Sequence, residues 1–168
     1  MSSRRVFPKF HRVYLSTGSN QGKSISNLSK AVHLIEKEIG RVVRTSSIYR
    51  TAAWGKTDQP DFVNQCLLIH SIFSPVMILK KLNHIEKQIG RVRIEKWGPR
   101  IIDIDILFYD QSVVKTQSLQ IPHPEIQNRM FVLKPLNEIA PNFKHPLINK
   151  TIKNLETNTN DSLEVLRI

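Results

Sequence analysis

The stretch Phe62–Val–Asn–Gln–Cys–Leu–Leu–Ile–His–Ser–Ile–Phe73, followed at once by Ser74–Pro75 and closed at Gly90, decides the fold. Its first part is apolar and rich enough in strand-forming residues for one long strand. Ser74 then supplies an N-cap and Pro75 a first-turn proline. Met77, Ile78, Leu82, Ile85 and Ile89 recur at helical spacing, and Gly90 ends the helix.

Working outward, His11–Thr17 alternates apolar and polar residues and stops at Gly18–Ser19–Asn20, which reads as a strand and a turn. Ile25, Leu28, Val32, Ile35 and Ile39 follow in steps of three and four, an amphipathic helix with Gly40 as its C-cap. Arg41–Tyr49 is β-branched and predicts a second strand, and 52–61, with Gly55, Asp58 and Pro60, a loop. Residues 91–100 are too charged and punctuated for a buried element, and Asp103–Tyr109 is the fourth strand. The order βαββαβ predicts an α+β domain with a ferredoxin-like core, an antiparallel sheet flanked by helices. Prolines at 122, 124, 135, 141 and 146 predict irregular C-terminal loops, short helices and a peripheral strand pair. The expected boundaries are a basic tail at 1–11, the domain at 12–156 and a polar C-terminal tail at 157–168.

Composition bounds the rest. The chain has 168 residues, 40% hydrophobic and 23% charged, the balance of one ordinary globular domain. Its 25 Lys and Arg against 14 Asp and Glu give a net charge of +11, which points to an anionic partner. No apolar run is long enough for a membrane span, so no membrane partner is expected. A single cysteine, Cys66, excludes an intrachain disulfide framework and reads as a buried, inert thiol, consistent with a cytoplasmic, reduced protein.

The chemistry begins at Asp103–Ile104–Asp105. Residues i and i+2 of a strand share a face, so both carboxylates project together while Ile102, Ile104 and Ile106 point into the core. Paired carboxylates repel unless a cation neutralises them, and Mg²⁺ suits such a pair; the alternative is an acid pair salt-bridged to nearby arginines. Arg91, Arg93, Lys96 and Trp97–Gly–Pro–Arg100 lie just upstream, a cationic loop fitted to a polyphosphate. Phe62 and Asn64 share a strand face, where an aromatic and a carboxamide suit a flat heterocycle; a core Phe beside a loop-capping Asn is the plainer reading. Pro122–His123–Pro124 and Asn128–Arg129–Met130–Phe131 add one imidazole, one guanidinium and one aromatic, although a lone histidine is more often structural.

Together these residues resemble the 6-hydroxymethyl-7,8-dihydropterin pyrophosphokinase family of folate biosynthesis. The segment Lys96–Trp–Gly–Pro–Arg–Ile–Ile–Asp–Ile–Asp–Ile–Leu107 is similar to its signature. Gly18–Ser19–Asn20, Tyr49–Arg50–Thr51, Gln59–Pro60–Asp61–Phe62–Val63–Asn64, Glu86, Gly90–Arg91–Val92–Arg93, Pro122–His123 and Asn128–Arg129–Met130–Phe131 occur in family order, so the likeness spans about 12–156. It implies transfer of pyrophosphate from ATP to the pterin hydroxymethyl group, releasing AMP. It further implies two Mg²⁺ ions on Asp103 and Asp105, with Arg91 and Arg100 acting beside them in catalysis. ATP would meet Asn83, Glu86, Arg91, Arg93, Lys96, Trp97, Arg100, Ile106, His123 and Arg129. The pterin would meet Thr51, Ala52, Trp54, Phe62, Asn64, Trp97 and Phe131. Ala52–Ala53 departs from the proline-containing sequence the family often carries there, and the loop before Trp97 is one residue short of some members.

The rival readings are a basic ferredoxin-like RNA-binding module and another Mg²⁺-dependent nucleotidyltransferase or nuclease. The chain has no RNP1-like run, and bare aspartates would repel phosphate, so no nucleic-acid partner is expected. A nuclease would give Phe62, Asn64 and Phe131 no reason to coincide. A monomer is expected, either free or as one domain of a multifunctional folate-pathway polypeptide.

Overall fold

A computed structural model describes residues 8–53, 58–92 and 98–168. β4 (Phe62–Ser71) is the spine of its main sheet, with β1 (His11–Ser19) antiparallel along one side. β5 (Asp103–Tyr109) pairs with the far side of β1. Along the other side of β4 lie β2 (Arg41–Thr45) and β3 (Tyr49–Thr51), and β8 (Val165–Arg167) pairs with β3. The order is β5–β1–β4–β3–β8, with β2 beside β4 off that path. β6 (Val114–Lys115) and β7 (Gln120–Ile121) form a separate pair.

Helices cover both faces. α1 (Ser24–Glu38) and α2 (Pro75–Ile89) bury Leu28, Ala31, Ile35, Ile78, Leu82 and Ile85 against Val13, Leu15, Leu67, Ile69, Ile102, Ile104 and Ile106. α3 (Met130–Ile139) and α4 (Ile152–Asn158) pack Val132, Leu133, Leu136, Ile152 and Leu155 on Tyr14, Cys66, Leu68, Leu107 and Phe108. Each fully buried Leu or Ile contributes about 1.5–3 kcal/mol. Burial on both sides is why β4 reads as a continuous apolar run rather than an alternation. Cys66 is fully buried, and burial pushes its thiol well up, as an inert thiol requires. Among the described residues no helix is long and apolar enough to cross a membrane.

Several local expectations change. Gly40 is not a left-handed cap: the C-cap is Ile39, in right-handed conformation. Gly40 is required instead by close approach, since a Cβ there would come within 2.2 Å of the His70 carbonyl oxygen. Gly90, at φ 107°, is the left-handed cap the sequence predicts. Ile25 is exposed, and Ala31 joins the buried stripe of α1. The predicted second strand is broken at Ser46, whose Oγ accepts from the Cys66 N–H at 3.0 Å in place of a ladder bond. Pro135 does not interrupt α3 but lies buried inside it. The expected tail at 157–168 holds the end of α4 and β8, with Val165 buried.

Glu138 ties α3 to the start of β3. It accepts from the Ser47 N–H and Oγ–H and, at 2.8 Å, from the Tyr49 hydroxyl. Burial opposes its charge, but these donors outweigh it and hold the carboxyl below its usual range. A depressed pKa contributes stability above the ordinary value of 4.5 that is lost as pH falls through the native one. Glu138→Gln is therefore expected to lower Tm at pH 7 and to narrow the gap to Tm at pH 3, measured by thermal unfolding.

Candidate active site

Strand register assembles the site at one end of the sheet, on the face shared with α3. Asp103 pairs with Gly18, and Gly18 with Asn64, so three neighbouring strands present one row. Asp105 sits one step along the same face, paired with Ser16. Ile102, Ile104 and Ile106 are buried on the opposite face, as the alternation predicts. Gly18 leaves the floor open between acid and amide, because a Cβ there would lie 3.0 Å from Asn64 Oδ1.

The two aspartates differ in environment. Glu86, buried in the last turn of α2, accepts the Ile104 N–H at 2.7 Å and the Arg91 guanidinium at 2.5 Å. Arg91 also donates to Asp103 Oδ1 at 2.6 Å, and Arg100 donates to Asp103 Oδ2. Burial works against the Arg91 charge, but Asp103 and Glu86 more than offset it and raise its pKa. Burial outweighs the same contacts at Glu86, whose carboxyl is raised. Asp105 has no hydrogen-bond donor in reach among the described residues. Burial, then the neighbouring Asp103 and Glu86 charges, push its carboxyl up to about 7.

The surrounding loops are tied down by asparagines. Asn20 accepts the Arg100 N–H at 2.8 Å and donates to Gln59 Oε1 and the Pro60 carbonyl, joining the segments on either side of the site. Asn27 donates to the Ile101 carbonyl at 3.1 Å. His123 Nδ1 accepts the Glu125 N–H at 3.2 Å, which leaves the proton on Nε2. Burial, then Arg129, depress its pKa to about 4, so it is a neutral donor at physiological pH. Arg129 lies 5.8 Å from the Phe131 ring centre. Asn64 is buried and donates to Thr51 Oγ1 at 3.1 Å.

The fold thus brings together Asp103, Asp105, Glu86, Arg91, Arg100, His123 and Arg129, and sets Phe62, Asn64 and Thr51 beside them on β4 and β3. Phe131 opens α3. Ala52 is exposed after Thr51, and Asn83 is exposed one turn before Glu86. The Ile106 side chain is buried in the α1/α2 core, as the alternation predicts, on the edge strand β5. Arg91 and Arg100 lie on Asp103, the salt-bridged alternative. Trp54, Arg93, Lys96 and Trp97 fall outside the described residues. Sequence reasoning missed Asn20 as a link between loops and took its tripeptide for a turn; the one available signal was a carboxamide at a strand end.

The donor set fits Mg²⁺. No group of three or more His, Cys, Asp or Glu among the described residues could close around a metal. Two same-face carboxylates with remaining positions left to water and phosphate oxygens are what Mg²⁺ takes, since it is seldom held in an all-protein cage.

The family model for 7,8-dihydro-6-hydroxymethylpterin-pyrophosphokinase matches residues 14–141. The 2-amino-4-hydroxy-6-hydroxymethyldihydropteridine pyrophosphokinase of Aquifex aeolicus is 42% identical over 141 residues, covering 84% of this chain and 88% of that one. Its counterpart in Synechocystis is 42% identical over 143 residues, covering 84% and 73%. A folic acid synthesis protein of Pneumocystis carinii is 38% identical over 83% of this chain but only 19% of its own length. A crystal structure of Plasmodium falciparum HPPK-DHPS superposes with a TM-score of 0.74 at 19% identity, over 89% of this chain and 45% of that one, a likeness of fold.

Proposed function

The chain belongs to the 7,8-dihydro-6-hydroxymethylpterin-pyrophosphokinase family, and from that premise we propose how its own residues carry out the reaction. The enzyme transfers pyrophosphate from ATP to the hydroxymethyl group of 6-hydroxymethyl-7,8-dihydropterin, releasing AMP, in folate biosynthesis. The observation that carries our assignment of roles is the single row Asp103–Gly18–Asn64, which sets metal-type carboxylates and a heterocycle-reading amide on one floor.

In this reading Asp103 and Asp105 hold two Mg²⁺ ions, which neutralise phosphate charge when bound. Arg91 and Arg100 exchange the Asp103 carboxylate for phosphate oxygens, and His123 Nε2 and Arg129 complete the anion cradle. Arg93 and Lys96 join them from the loop, and Asn83, Glu86 and the Ile106 backbone border the nucleotide. The pterin lies between Phe62 and Phe131, its edge read by Asn64 and the backbone at Thr51–Ala52, with Trp54 and Trp97 closing over it. The hydroxymethyl oxygen then bonds to the β-phosphorus as its O–H bond breaks and the proton passes to water, the bond from that phosphorus to the α,β-bridging oxygen breaks, and AMP departs with that oxygen. Catalysis is mainly positioning and electrostatics.

We also read the strand order as a ferredoxin-like split βαβ core, with β2 and β3 sharing the place of its second strand. We place the protein in the cytoplasm as a monomer, on its one buried, unpaired cysteine and exposed apolar residues scattered over many elements.

Incubation with ATP, Mg²⁺ and the hydroxymethylpterin is expected to release AMP only when the pterin is present. AMP independent of pterin, or ADP as product, would overturn the assignment. Gly18→Ala tests the floor: its Cβ crowds Asn64, so KM for the pterin is expected to rise about tenfold, with KM for ATP changed by less than about twofold. Steady-state kinetics with each substrate varied in turn checks it.

A further inference from the structure

We infer that Asp161 is a positioning residue for the pterin site, and that residues 159–167 are a strap tying the two walls of that site together. The inference rests on the reading that Phe131 and β3–β4 line the pterin. It concerns residues outside the 14–141 that match the family.

The start of α3 is short of caps. Its N-cap is Arg129, which offers no side-chain acceptor, and its first turn holds no acidic residue. The first amide groups of a helix need acceptors, and an acid is the best complement to their positive end. Asp161 supplies one from 31 residues downstream: its Oδ2 accepts the Met130 N–H at 2.8 Å. Met130 stands between Arg129 and Phe131, so this bond fixes the backbone that aims both side chains.

The same segment is anchored on each side of that carboxylate. Thr159 Oγ–H donates to the Gln127 carbonyl at 3.1 Å, and the Asp161 N–H donates to Thr159 Oγ1. Asp161 Oδ1 accepts the Leu163 N–H at 3.0 Å, turning the chain toward β8. There Val165 pairs with Thr51, which pairs with Phe62 and accepts from Asn64. The strap therefore runs from the helix that presents Phe131 to the strand that supports Phe62 and Asn64. Two walls held at a fixed spacing grip a flat ligand without the entropy cost of ordering them on binding.

The test compares Asp161→Ala, Asp161→Asn and Phe131→Ala with the parent, in steady-state kinetics and in amide exchange of the unliganded protein. Asp161→Ala should expose the Met130 amide to exchange and raise KM for the pterin about three- to tenfold, with a smaller rise in KM for ATP through Arg129 and kcat changed by less than about twofold. Asparagine keeps one of the two acceptor oxygens that Asp161 uses, so Asp161→Asn, with that oxygen turned to Met130, should bring both readouts part of the way back toward the parent. If Asp161→Ala exposes Met130 but leaves KM for the pterin unchanged, the cap exists without positioning and the inference fails. Equal losses for both substrates alongside a fallen Tm, unrescued by asparagine, would show a structural role only and also overturn it. If Phe131→Ala leaves KM for the pterin unchanged, the pterin-site reading itself fails and takes the strap with it. Should Asp161→Ala not fold, Thr159→Val, which keeps the Asp161 carboxylate but cuts the hydroxyl's ties to the Gln127 carbonyl and the Asp161 N–H, reads the same ratio of KM values.

Discussion

Asp105→Ala is expected to abolish turnover, by at least about a thousandfold, while leaving the unliganded protein more stable than the parent by roughly 1 kcal/mol. The two effects share one cause. Asp105 is half-buried beside Asp103 and Glu86 and has no donor among the described residues, so its charge is unfavourable until a cation arrives. Removing the carboxylate relieves that repulsion and removes the oxygen ligand proposed for Mg²⁺ with it. Asp103→Ala should abolish turnover equally but with the opposite sign in stability, because it strips Arg91 and Arg100 of their shared partner. Thermal unfolding of both variants, with and without Mg²⁺-ATP, separates these signs, and AMP release gives the rate. A double variant that keeps full activity would contradict the metal role of the pair. Equal destabilisation of both single variants would contradict the contrast between their surroundings.

This asymmetry lay beyond the sequence. Asp103 and Asp105 are chemically identical and two residues apart, and alternation places them on one face correctly. What divides them is a guanidinium two residues after Ile89, the last apolar residue of the strand-helix unit, and another just before β5, and only the fold fixes their reach. Strong periodicity and caps made β1, β4, α2 and β5 legible, and the Ser74 cap and Gly90 stop stand where the sequence puts them. Gly40 misled because a glycine after a helix has two physical uses, left-handed φ and close approach, and the sequence does not distinguish them. The break between β2 and β3 rests on one side-chain substitution at Ser46. β8 escaped notice because three residues are too few to show a period, and Val165 needs burial by only one partner strand. The candidate site was legible in residue types; its loop ties through Asn20, and the bond from Asp161, depend on tertiary contacts that no spacing reveals.

Arg91→Ala should have the largest effect on stability, because it leaves Glu86 as a buried carboxylate with a single backbone donor at Ile104. Breaking one side of a buried ion pair typically costs about 3–5 kcal/mol, far above the 0–1 kcal/mol of an exposed pair. Arg91 and Glu86 side chains are only 10% and 7% exposed, so the higher range applies. The sign with pH follows from Glu86. Its carboxyl is already raised by burial, and losing Arg91 raises it further. A raised native pKa preserves stability below the ordinary value and loses it as pH climbs through the native one. The variant should therefore lie closest to the parent near pH 4 and fall furthest behind above neutrality. Adding Glu86→Gln removes the buried charge, so the double variant should recover much of the lost Tm, a non-additive pair. Turnover should not return with it, because the amide replaces neither the guanidinium on Asp103 nor the contact with phosphate proposed for it. Recovery of both in Arg91→Ala/Glu86→Gln would mean that Arg91 serves only to neutralise Glu86, and its place in the phosphate cradle would be wrong.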